Sequence, residues 1–185
     1  MPLSARSVSR IRKHSRSVRF EGFARADGLW DIEAHLTDIK PDDYLLAPGV
    51  RPALSPVHDM WVRLTIDRKM NVVAAEACTD AMPYAPHCAR VAPDYAALVG
   101  MNLMRGFRKA LYERYGAVRG CTHLTELLGQ FPSAAIQVLA GEQRDNHDDG
   151  RKPFQLDRCH ALDTVGEAVR LYYPRWQQAE KTGTD

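Results

Sequence analysis

An α+β fold, with an antiparallel sheet of about four strands from two hairpins covered on one face by two or three helices, is predicted by three features of the chain. The first is alternation. Trp30, Ile32, Ala34 and Leu36 interleave with Asp31, Glu33, His35 and Thr37, and Met60, Val62, Leu64 and Ile66 interleave with Asp59, Trp61, Arg63 and Thr65, with His58 opening the second stretch. The second is turn chemistry, Ala26-Asp27-Gly28 before residues 29–40 and Asp67-Arg68-Lys69-Met70-Asn71 after residues 57–67. The third is a change of period near Asp94, where Val99, Leu103, Phe107, Ala110 and Leu111 recur at spacings of three and four.

Taken in order, residues 18–25 alternate as a strand that the Asp-Gly turn returns into residues 29–40. Residues 40–56, carrying Pro41, Pro48, Pro52 and Pro56, read as a long surface connection. Residues 57–67 and 72–78 form the second hairpin. Pro83, Pro86 and Pro93 make residues 79–93 irregular. A helix follows from Asp94, with Gly116 placed to end it. A second helix starts near Thr122, whose hydroxyl is positioned to cap free backbone donors, and buries Leu124, Leu127 and Leu128. Pro132 kinks or divides it before residues 134–140. Residues 141–152 are a polar loop, and residues 153–176 regain apolar surface through Leu156, Leu162, Val169, Tyr172 and Trp176. The organisation expected is a basic arm over 1–13, one α+β domain over 14–176 and a frayed tail over 177–185.

At 185 residues with 45% apolar content, the chain is long enough for one core and short for two. The net charge of +2 hides an asymmetry: six of the 25 basic residues fall in the first 19 positions with no acid, leaving 19 basic against 23 acidic groups elsewhere. That start has no aromatic interleaving and no nucleic-acid motif follows it, so it reads as a solvated or self-docking arm and no nucleic-acid partner is expected. No apolar run is long enough to span a bilayer, and no hydrophobic signal core follows the first residues; a soluble cytoplasmic protein with no membrane partner is expected. Cys78, Cys88, Cys121 and Cys159 are widely spaced and read as free thiols.

Candidate chemistry begins with Asp31, Glu33 and His35. Residues two apart on a strand share a face at roughly 6–7 Å. A carboxylate beside an imidazole fixes its tautomer and raises its basicity, which suits acid–base work near neutral pH. Asp59, Trp61 and Arg63 form a matching set, in which Arg63 holds an anion and Trp61 stacks on a ring; His58 and Asp59 point to opposite faces, so only one of them joins it. A plain solvated sheet face accounts for the same residues. Gly120-Cys121-Thr122-His123 precedes a helix, where glycine permits an unusual backbone angle and the helix start offers amide donors to an anion; a capped helix with a buried cysteine is the plain alternative. No base is evident against Cys121, so no thiol nucleophile is assigned. His87-Cys88, Cys121-Thr122-His123 and Cys159-His160 supply soft-metal donors, and His35, Glu33 and His58 an alternative set, but neither is a zinc pattern and no metal is assigned. Phosphate-loop, dinucleotide and Gly-x-Ser-x-Gly motifs are absent from the sequence.

The phrases from Asp27 to Asp38 (DGLWDIEAHLTD), Val57 to Trp61 (VHDMW), Gly120 to Leu124 (GCTHL) and Leu156 to Leu162 (LDRCHAL) occur in that order, and over roughly residues 12–176 the chain resembles the bacterial family labelled domain of unknown function 2889. The resemblance implies a soluble bacterial protein of a mostly uncharacterised family, associated loosely with catabolism of aromatic compounds and acyl groups; it brings no catalytic residues with it.

The function expected is a small cofactor-independent enzyme of lyase or isomerase type, moving a proton on a small aromatic or carboxylated metabolite. His35 is its acid–base group, Glu33 or Asp31 the orienter, and His58, Asp59 and His123 further catalytic candidates. Arg63, Trp61, Cys121 and Thr122 are the candidate binding residues. The alternative is a non-catalytic ligand-binding or assembly module in which the same charges form a solvated rim. An exposed strand edge or the aromatic C-terminal end permits a homodimer.

Overall fold

The computed structural model describes residues 3–140 and 150–179. The chain forms two compact units, Met1–Val138 and Leu139–Asp185. Part of the expected polar loop (141–149) and the end of the expected frayed tail (180–185) lie outside the described residues.

In the first unit, β1 (Ser15–Ala24), β2 (Trp30–Ile39), β5 (Pro56–Ile66) and β6 (Val72–Ala81) make a four-stranded antiparallel sheet in the order β1-β2-β5-β6. This is the α+β architecture that the two hairpin signals predict. Gly28 adopts φ 81° in the β1–β2 turn, a left-handed conformation that glycine takes at no steric cost. The β5–β6 turn is held by Asp67, whose carboxylate accepts the Lys69 and Asn71 amides at 2.8 and 2.9 Å. Burial alternates without a break along β2, so the even-numbered Trp30, Ile32, Ala34 and Leu36 face the core. Met60, Val62, Leu64 and Ile66 of β5 join them. Helical residues bury opposite apolar surface, with Leu98, Leu111, Leu124, Leu127, Leu128 and Phe131 fully enclosed. Each such side chain contributes roughly 1.5–3 kcal/mol of transfer free energy. Phe131, opening α3 (Phe131–Ala140), meets Phe20 of β1 edge to face with ring centroids 5.2 Å apart.

Three local expectations are corrected. The proline-rich connection contains a small hairpin, β3 (Tyr44–Leu46) with β4 (Gly49–Arg51), whose three-residue strands are too short to show a period. The helix expected from Asp94 to Gly116 is divided into a 3-10 segment, Cys88–Leu98, and α1 (Phe107–Tyr115). Gly100 and Gly106 between them have φ of 90° and 67°, which a right-handed helix cannot pass through, and the intervening backbone pairs with the sheet instead: Gly100 N–H donates to Val72 C=O and Leu103 N–H to Met70 C=O. Finally, α2 (Thr122–Leu128) is capped from Cys121 with no side-chain hydrogen bond, so the Thr122 hydroxyl is inside the first turn rather than capping it. The division expected at Pro132 is present: α2 ends at Leu128 and α3 starts at Phe131, with Pro132 in its second position, where its missing N–H costs nothing.

The second unit contains α4 (Glu167–Tyr172) and is organised around Asp157. Its Oδ1 accepts both the backbone N–H and the hydroxyl of Thr164 at 2.9 Å, and Lys152 pairs with Oδ2. The Lys152 ammonium and then the Thr164 donors lower the carboxyl from its usual range to about 2. A carboxyl depressed on folding stabilises the folded state above its unfolded value of about 3.9 and loses that contribution as pH falls towards the folded value. The Thr164 amide resonance should therefore hold steady from pH 7 to about 4 and move as Asp157 titrates below it. A Thr164 amide that moves with a midpoint at or above 3.9 would contradict this anchor.

Candidate active site

The sheet register distributes the candidate residues over two opposite faces. On the outer face, β2 and β5 place Asp31 opposite Thr65, Glu33 opposite Arg63, His35 opposite Trp61 and Thr37 opposite Asp59. Asp59, diagonal to His35, places Oδ1 2.6 Å from its Nε2, and the imidazole stacks on the Trp61 indole at 3.8 Å and 7°. The orienter expected for His35 is thus corrected from Glu33 or Asp31 to Asp59. Asp31 instead accepts from the Thr65 hydroxyl at 2.6 Å and from Arg25, and Glu33 pairs with Arg63 at 3.4 Å. Arg63 also pairs with Glu76. With two carboxylates on one guanidinium, Arg63 presents no surplus positive charge, and the anion-holding role expected of it is not supported by its surroundings. The hollow over Trp61, Arg63 and Cys78 holds about 150 Å³, below the roughly 300 Å³ at which small-molecule sites begin.

The inner face carries a different cluster at one end of the sheet. Asp38 continues the even-numbered row of β2 past Leu36, and the register sets Arg16 of β1 on one side of it and His58 of β5 on the other. Three strands therefore present Arg16, Asp38 and His58 as a single transverse row. The Asp38 side chain is 5% exposed and its oxygens are fully engaged. Oδ1 accepts from Arg16 Nε at 2.8 Å and His14 Nε2 at 2.7 Å; Oδ2 accepts from Arg16 Nη2 at 2.8 Å and His58 Nδ1 at 2.9 Å. Burial opposes the charged carboxylate, but these bonds, Arg16's foremost, outweigh it and hold Asp38 well below the usual carboxylate range. An ionised carboxylate only accepts, so the His58 nitrogen facing it carries the ring proton and Nε2 of the neutral ring is left with the lone pair.

The start of α2 completes the cluster. His123 lies against His58 with ring centroids 3.9 Å apart, and the Cys121 sulfur is 4.0 Å from His123 Nδ1. Burial lowers both imidazoles from their ordinary value, against the Asp38 charge at His58 and with the help of His58 and Arg16 at His123. Arg51 of β4 depresses His58 further through its charge while donating to Met82 C=O at 2.8 Å. The result is two adjacent imidazoles kept neutral near pH 7, one of them oriented by a buried carboxylate. The hydroxyl of buried Tyr95 anchors this turn, accepting the Cys121 N–H at 3.0 Å and meeting the Thr125 hydroxyl at 3.1 Å.

Of the predicted residues, then, the structure joins His58, His123 and Cys121 in one cluster, with Thr122 beside them in sequence, and sets His35, Asp31, Glu33, Asp59, Trp61 and Arg63 on the other side of the sheet. His58 and Asp59 do point to opposite faces. The imidazole that the structure sets beside the Cys121 sulfur is that of His123, two residues further on, at 4.0 Å. Asp38, Arg16 and His14 are not among the predicted residues; the parity of Trp30 to Leu36, carried two residues on, reaches Asp38, and that of Val18 and Phe20, carried back, reaches Arg16.

An antiparallel sheet with one helix-covered face and a buried carboxylate–histidine cluster at its end defines the class of domain. The family model described as Protein of unknown function (DUF2889) matches residues 14–137, and the chain belongs to that family. The matched stretch includes every residue of the cluster. No curated protein and no solved structure matches the chain. No helix among the described residues is long and apolar enough to cross a membrane.

Proposed function

We propose that the protein is a small-molecule enzyme that moves a proton on a carboxylated or aromatic metabolite, in a reaction of lyase or isomerase type, and that its centre is the Asp38–His58–His123 cluster rather than the His35 face. His58 Nε2 acts as the acid–base group, Asp38 positions it, and His123 is the second proton carrier. The observation that carries this reading is the buried Asp38 Oδ2 at 2.9 Å from His58 Nδ1 with a second neutral imidazole 3.9 Å from the same ring and tilted 35° to it. Orientation by a hydrogen-bonded carboxylate together with a lone pair free at pH 7 is what general base catalysis requires. Free thiols at all four cysteines fit a reducing compartment, in keeping with a cytoplasmic catabolic role.

The test is solvent exchange. Aromatic acids, aldehydes and acyl thioesters are first screened for a rise in melting temperature, and each hit is incubated in D2O with the protein. Deuterium should enter a C–H position with wild type and at least 100-fold more slowly with His58→Gln, given that one positioned acid–base group contributes typically 10²–10⁴-fold. Ligands that bind with no exchange at any position would favour the binding-module reading instead.

A further inference from the structure

We propose that Asp38, His58 and His123 together bind one divalent transition-metal ion of the zinc class. One carboxylate oxygen of Asp38 and one ring nitrogen from each histidine lie within 4.8 Å of one another. Ligands bound at about 2.0–2.1 Å around a tetrahedral ion stand about 3.4 Å apart, so the three side chains need to close by little more than 1 Å around an ion. Two imidazoles and one carboxylate suit zinc, cobalt or ferrous iron and disfavour magnesium and calcium, which take oxygen donors. Three protein ligands leave a coordination position open, the arrangement of catalytic rather than structural zinc.

The surroundings fit a ligand set held in place. Arg16 and His14 bond to Asp38 from the side away from His58, and metal-ligating carboxylates are commonly fixed by such outer bonds. The Cys121 thiol, 4.0 Å from His123 Nδ1, adds a soft donor next to the cluster. By contrast, the donor sets suggested by sequence proximity do not assemble. His35 and Glu33 face away from His58, and the His87-Cys88 and Cys159-His160 pairs do not enter the one candidate group found among the described residues.

This inference rests on the cluster being the active centre; with an ion bound, Asp38, His58 and His123 would serve as its ligands, and the acid–base role held by His58 Nε2 in the stripped protein would pass to a metal-bound water acidified to about pKa 7, with the metal polarising a substrate oxygen. Full-length protein, stripped with a chelator and dialysed, is titrated with Zn2+ by calorimetry and with Co2+ by visible absorption. One ion per chain should bind, with cobalt ligand-field bands, and with histidine ring resonances of His58 and His123 shifting while that of His35 stays fixed. His58→Gln and His123→Gln should each weaken zinc binding at least tenfold, and His35→Gln should leave it unchanged; circular dichroism and melting confirm that each variant is folded. The proposal is overturned if wild type shows no saturable binding at micromolar Zn2+ or Co2+, or if both His58→Gln and His123→Gln bind as wild type does. The deuterium-exchange assay, run on stripped and loaded protein, separates the two claims. Exchange without metal binding removes the metal alone, and metal binding without exchange removes the enzyme reading alone.

Discussion

Replacing Asp38 with alanine should destabilise the protein by about 3 kcal/mol, because it removes the one acceptor shared by Arg16, His14 and His58. Breaking a buried ion pair from one side costs roughly 3–5 kcal/mol, and the lower end applies because Arg16 is 36% exposed and can turn to water or to Glu126, 3.8 Å away. For a chain of this length that corresponds to a fall in melting temperature on the order of 10 °C. The matched control is Asp59→Ala on the outer face, whose carboxylate and His35 partner are each about a quarter exposed; its cost should stay below about 1 kcal/mol. Chemical denaturation of the two variants checks the contrast. An Asp38→Ala protein no less stable than Asp59→Ala would mean that the cluster is not held together by its carboxylate.

The second large effect is expected at Gly120. Its backbone is extended, with φ −152° and ψ −176°, so the unusual angle that the sequence suggests is not why glycine stands there. The reason is close approach: a Cβ would come within 2.5 Å of the Tyr115 carbonyl oxygen, 2.8 Å of Tyr115 Cβ and 3.0 Å of the Tyr95 hydroxyl. Two of those atoms belong to the backbone or the root of a side chain and cannot swing aside, so the segment must move. Gly120→Ala should cost about 2–3 kcal/mol, the upper range for overpacking a filled site. Because Cys121 is tied to Tyr95 and His123 follows it into the first turn of α2, the same shift should part the His58 and His123 rings. The check is a melting curve together with the ring-proton shifts of both histidines. A variant that melts like wild type with unmoved ring shifts would contradict the packing described for this turn.

The sheet was legible in the sequence because a half-covered antiparallel sheet imposes period two, and Trp30 to Thr37 carry it without interruption. The outer-face grouping of His35, Asp59, Trp61 and Arg63 followed from that period alone. Function-bearing geometry on the other face was less legible for a physical reason. Arg16, Asp38 and His58 are far apart in sequence and become neighbours only through strand register, which alternation constrains but does not state. The alternating set was counted only as far as Thr37, two residues short of the end of β2 at Ile39, which left Asp38 out of the inward row, and His58, although set on the face opposite Asp59, was given no partner there. The helical spacing from Val99 to Leu111 misled because buried segments of any shape repeat apolar residues; the positive φ of Gly100 and Gly106 decided against a continuous helix. Short strands such as Tyr44–Leu46 have no period to read.

The most direct measurement is the tautomer of His58, read from the two ring-nitrogen resonances of stripped protein at pH 7. The ring should be neutral, with the proton on Nδ1 held towards Asp38 and Nε2 unprotonated; this state should survive His35→Gln and be lost in Asp38→Ala. A His58 ring protonated on Nε2 alone, or on both nitrogens, would contradict the arrangement on which the proposed chemistry depends.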